Sequence, residues 1–87
     1  MSYYLVSYDL IKRKDYPELI DALNRVGAQK CLLSQWLVDN PSPRQVLYEY
    51  LKEHIDSDDR LMVIEFEKKP TWNIGLKGTR DWIEARF

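Results

Sequence analysis

At 87 residues the chain holds one domain and one core, and a domain this size hides only about 60–65% of its unfolded surface. Thirteen Lys and Arg against fourteen Asp and Glu give a net charge of −1, which excludes the strongly basic balance of a non-specific nucleic-acid coat. A single cysteine, Cys31, excludes an internal disulfide and a cysteine-built zinc site, and no run approaches the roughly 20 apolar residues of a membrane span.

The opening MSYYLVSYDL lacks the basic region and small-residue cleavage site of a secretory signal, so a cytoplasmic location is expected. Within it, Tyr3–Leu10 is β-branched and aromatic and predicts the first strand. Alternation puts Tyr4, Val6 and Tyr8 on one face and Tyr3, Leu5, Ser7 and Asp9 on the other. The first helix is predicted from Asp15 as N-cap, Pro17 in the first turn and Glu18 completing a capping box. Tyr16, Leu19, Ile20 and Leu23 supply its apolar stripe, Val26 extends it, and Gly27 stops it.

Ala28–Asp39 is too long for one strand and reads as two, with a tight bend near Leu33–Ser34. Asn40–Pro43 breaks the chain. Ser42 is expected to cap a second helix, with Pro43 at its first position and Gln45 completing a capping box. Leu47, Tyr50, Leu51, His54 and Ile55 form its stripe, Asp56–Asp59 end it in a polar turn, and Arg60–Phe66 is a further strand. In the tail, Trp72, Ile74 and Leu76 suggest a short edge strand, and Thr79 a cap for a last helical turn bearing Trp82 and Ile83. Two tryptophans are costly to leave in water, so this tail must dock.

Strand, helix, strand, strand, helix, strand is the order of a ferredoxin-like βαββαβ sandwich, with an antiparallel sheet and both helices on one face. The core spans 3–66 and a C-terminal extension 67–87 of a single domain. The opposite face is then bare, and a homodimer is the expected way to cover it. The 13% aromatic content, with six Tyr and three Trp, suits either a partner surface or a small core built from large side chains.

With the elements placed, three motifs carry a resemblance to a known family. They are Tyr8-Asp9-Leu10 closing an apolar strand, Gly27 followed by Ser34 and Trp36, and Asp58-Asp59-Arg60-Leu61 entering the strand of Val63 and Ile64. In these the chain resembles the CRISPR-associated Cas-two nucleases, and with its terminal Trp82-Ile83 it is most similar to the Cas-two-like "SinR family" proteins. The resemblance implies a homodimeric nucleic-acid-binding protein, acting on DNA or RNA beside a CRISPR or toxin–antitoxin partner protein. It further implies that Asp9 faces its mate across the dimer axis and holds a magnesium ion for phosphodiester hydrolysis; the residues alone also allow a strand-end aspartate satisfied by loop amides or capping the next turn. Lys12, Arg13 and Lys14 are candidate phosphate contacts at the mouth of that site, or a solvated loop cluster.

Two other readings stay open. One is a non-catalytic adaptor, favoured by the near-neutral charge and by Leu32 where the family usually has glutamine. The other is a VapD-type toxin endoribonuclease of the same architecture. Among the remaining chemical side chains, Asp58 and Asp59 are expected to point apart in their turn, His54 to be a partly buried helix residue, Cys31 a small core hydrophobe, and Ser34 a bend residue.

Overall fold

A computed structural model describes residues 2–11 and 17–87. The described residues form a small α+β fold with a four-stranded sheet and three helices. In chain order these are β1 (Ser2–Asp9), α1 (Pro17–Arg25), β2 (Gln29–Leu32), β3 (Gln35–Asn40), α2 (Arg44–Lys52), β4 (Arg60–Phe66) and α3 (Thr79–Glu84). The sheet runs β2-β3-β1-β4 and every neighbouring pair is antiparallel. Among the described residues no helix is long and apolar enough to cross a membrane.

Local chemistry explains most boundaries. Gly27 ends α1 at φ 72°, a left-handed conformation that only glycine adopts freely. The Ala28 amide then donates back to the Leu23 carbonyl at 3.0 Å, closing the turn of a Schellman motif. The predicted cap Asp15 and stripe residue Tyr16 lie outside the described residues. The break at Leu33–Ser34 is a two-residue turn between β2 and β3, as the sequence suggests, with a register shift between Lys30 and Leu32.

At α2 the start differs from expectation. The helix begins at Arg44, Pro43 occupies the capping position, and no side chain caps it. Ser42 is otherwise engaged: its amide donates to Asn40 Oδ1 at 2.8 Å, and its carbonyl accepts the Tyr4 hydroxyl at 2.6 Å. Gln45 turns outward to Glu49 at 2.8 Å instead of back to the cap. An Asx turn has displaced the capping box.

Alternation along the strands creates two cores. Tyr4, Val6, Trp36 and Val38 point to one face, where Leu19 and Leu23 of α1 and Leu47 and Leu51 of α2 close over them. Both helices therefore cover the same side of the sheet. The Tyr8 hydroxyl accepts the Trp36 indole N–H at 3.1 Å, so this core's large polar tip is satisfied.

The second face is not bare, which corrects the sequence expectation. Residues 70–78 form no strand; the Leu76 amide donates to the Cys31 carbonyl at 2.9 Å and Gln29 Nε2 donates to the Lys77 carbonyl at 2.9 Å, and these bonds tie the segment to the β2 edge. The chain then turns at Gly78 and lays α3 over one end of the sheet, burying Trp82 and Ile83 against Cys31 and Leu37. Thr79 does not cap α3. It is the first helical residue, and Gly78 precedes it in the left-handed region at φ 95°.

Candidate functional site

The register fixes what lies on the second face. Leu5 sits opposite Leu37 and Ile64, Ser7 opposite Gln35 and Met62, and Asp9 opposite Arg60. The face is apolar at its centre and charged at the Asp9 end. Strand geometry alone produces this, because residues directly opposite in antiparallel strands share a face.

The tail seals the other end. Tyr3 meets Trp82 edge-on at 5.9 Å, Phe66 at 6.0 Å and Phe87 at 5.0 Å, an aromatic cluster that holds α3 down. Arg86 donates from Nε to Asp39 Oδ2 at 2.8 Å and from Nη1 to the Trp82 carbonyl at 3.0 Å, with its guanidinium 4.2 Å from the Trp82 ring centre. This mostly buried ion pair is the anchor that sequence reading did not foresee. The one available signal was Arg86 lying four residues beyond Trp82, on the same helical side. Asp39 Oδ1, Thr79 Oγ1 and Trp82 Nε1 are buried without a hydrogen-bond partner among the described residues, so polar atoms of the tail contact are left unsatisfied there.

Asp9 stands exposed at the end of β1, and its Oδ2 accepts Arg60 Nη1 at 2.7 Å. Both side chains are about two-thirds exposed, so the pair contributes little stability. It does neutralise the carboxylate. A single chain does not fit a magnesium ion at Asp9, because one carboxylate already held by a guanidinium leaves most of the oxygen ligands unsupplied. Lys12, Arg13 and Lys14, the candidate phosphate contacts, lie outside the described residues.

The acidic turn brings together more than expected. Asp56, Asp58 and Asp59 each present a carboxylate oxygen within 4.8 Å of the others, where Asp58 and Asp59 were expected to diverge. The physical reason is the turn itself: Asp59 Oδ1 accepts the Ile11 amide at 3.1 Å and Oδ2 the Asp56 amide at 2.9 Å, curling the segment around its carboxylate. The cluster could hold a cation, yet turn closure already accounts for the position of Asp59.

No family model matches the chain, and no solved structure matches it. The remaining chemical side chains take structural positions. His54 lies just past α2, partly buried, donating from Nδ1 to the Tyr50 carbonyl at 2.9 Å and packing edge-on against the Tyr50 ring. Cys31 is buried in the second core, where desolvation pushes its thiol up, partly countered by backbone hydrogen bonds. That makes it a poor nucleophile. Ser34 sits in the β2–β3 turn, its carbonyl accepting the Tyr8 amide at 3.1 Å.

Between the Asp9 end and the tail, the face remains open. Met62 is 60% exposed and Ile64 44% exposed on β4, with Leu32 and Leu33 also exposed at the β2–β3 turn. Exposed apolar side chains gathered on one sheet face mark an interaction surface better than the same residues scattered singly.

Proposed function

We propose that the chain is a Cas-two-like homodimer of ferredoxin-like subunits that binds nucleic acid, with the Asp9 end of the second sheet face at its two-fold axis. The supporting observation is the uncovered half of that face, where Met62 and Ile64 stand exposed on β4 beside Ser7 and Asp9 on β1. Such a strip suits an isologous contact, in which one patch serves both copies. The strand order β2-β3-β1-β4 and the shared side of α1 and α2 are compatible with the ferredoxin-like part of the reading.

Hydrolysis is the narrower part of this proposal. Two Asp9 carboxylates meeting at the axis, each released from its Arg60, would offer the oxygen donors that magnesium takes. The ion would supply charge neutralisation on a phosphodiester, and Arg60 would be freed to hold a phosphate. A second reading, a non-catalytic adaptor, is favoured by the Asp9–Arg60 ion pair itself, since it leaves the carboxylate satisfied without a metal.

Light scattering over a concentration series tests the dimer, and Met62→Lys is expected to leave a folded monomer. Binding to short DNA and RNA duplexes is expected to weaken steeply with salt. Magnesium-dependent cleavage that disappears in Asp9→Asn supports the nuclease. A dimer without salt-dependent binding or cleavage points to the adaptor, and a monomer at every concentration overturns the dimeric reading.

A further inference from the structure

The tail does not lie flat on the second face. Between residues 70–79 and the sheet it leaves a cavity of about 410 Å³, within the ordinary range of small-molecule sites. At the ~30 Å³ that a water occupies in liquid, this is room for roughly a dozen heavy atoms. Its walls are mainly apolar, with Leu5, Leu37, Ile64, Phe66, Trp72 and Ile83 as the principal lining. Gln35, Thr71 and Asn73 add neutral polar groups. Among the described residues Lys68 is the only charged side chain on the wall. Unlike its neighbour Lys69, which pairs with Glu84 at 3.1 Å, Lys68 makes no ion pair with any described residue.

We propose that this cavity binds a small amphipathic carboxylate, with its apolar body between the sheet and Trp72 and its acid group against Lys68. The chemistry of the wall selects that class. Among the described residues no carboxylate lines the cavity, so a hard cation lacks the charged oxygen ligands it takes. One lysine amid aliphatic and aromatic groups cannot neutralise a nucleotide's phosphates, whereas it matches a single negative charge. A wholly apolar ligand would leave Lys68 uninvolved. Ile64 belongs both to the cavity wall and to the strip proposed for the dimer, whereas Met62 and Asp9 do not line the cavity, so a change at Met62 tests the dimer without altering the cavity wall.

Decanoate, with its neutral counterpart 1-decanol, is the probe, read by calorimetry and by the change in tryptophan fluorescence, to which Trp72 on the cavity wall contributes. The intact chain is expected to bind decanoate saturably, and more tightly than decanol. Lys68→Met, a surface change that leaves the fold intact, should weaken decanoate about fivefold to tenfold and leave decanol unchanged. Ile64→Trp fills the cavity and should abolish both. Titration of Met62→Lys separates this site from the dimer, since the same decanoate affinity is expected whichever oligomer is present. Non-saturable uptake, equal loss of decanoate and decanol in Lys68→Met, or unchanged decanoate binding in that variant each overturns the proposal. So does binding that is confined to the monomer, which would mean that a second copy fills the cavity.

Discussion

Replacing Ile83 by alanine tests whether the tail is part of the folded unit. Ile83 is 1% exposed and packs in the second core with Cys31, Leu37 and Trp82. Truncating a buried isoleucine costs about 2–5 kcal/mol, from lost transfer energy and from the void left behind. The neighbouring cavity lets water or side chains relax into part of that void, so a value near 3 kcal/mol is expected. A chain of 87 residues at about 2.1 cal/mol/K per residue has an unfolding entropy near 0.18 kcal/mol/K. The melting temperature should therefore fall by about 16 °C, measured by circular dichroism at 222 nm and by calorimetry. Ile74→Ala is the control: Ile74 is 87% exposed, and its removal should cost less than about 0.5 kcal/mol. A fall of less than about 3 °C in Ile83→Ala would show that α3 is not docked on the sheet in solution. A fall that shrinks as protein concentration rises would place α3 on the sheet of a second copy instead.

Further expectations rest on single contacts. Tyr4→Phe removes the hydroxyl that donates to the Ser42 carbonyl at 2.6 Å and should cost about 1 kcal/mol in urea unfolding, without a change in the m-value. Gly78→Ala forces a non-glycine residue to φ 95° and drives its Cβ to within 2.7 Å of the Gln29 amide, which holds the Lys77 carbonyl. About 2–3 kcal/mol should be lost, together with the tail's protection from proteolysis. Because burial raises the folded pKa of Cys31 above that of the unfolded thiol, its stabilising contribution is complete below the unfolded pKa and fades as pH rises through the folded one. Native Cys31 should accordingly react slowly with iodoacetamide at mildly alkaline pH, and at the rate of a free thiol once urea is added; equal rates would place the thiol outside the core. Ile74 carries a β-branched side chain at φ 52°, so Ile74→Gly should raise the melting temperature slightly instead of lowering it.

The local elements were legible in the sequence because their causes are local. The stripe of Leu19 and Leu23 with the stop at Gly27, the pair of strands around Leu33–Ser34, and the limits Arg60–Phe66 each follow from periodicity or from one turn residue. The Ser42 cap gave way to an Asx turn at Asn40, and that turn is held in place by a contact no local signal shows: the Ser42 carbonyl accepts the hydroxyl of Tyr4, 38 positions away. The candidate site divides in the same way. Asp9 at the end of its strand could be read from alternation, whereas its partner Arg60 depends on a register that joins residues 51 apart.

By itself, the sequence determined an α+β fold, the apolar face of β1 and its mixed opposite face, and the need to bury Trp72 and Trp82. Tertiary structure decided where that burial occurs. The hydrophobic effect is non-directional, so a tail rich in tryptophan states a demand without naming the surface that meets it. Shape and charge settle that choice: the Tyr3–Phe66 end receives the aromatic rings, and Asp39 receives Arg86. What remains open, the Met62–Ile64 strip and the cavity beside it, is the part of the sheet that the tail's reach leaves uncovered.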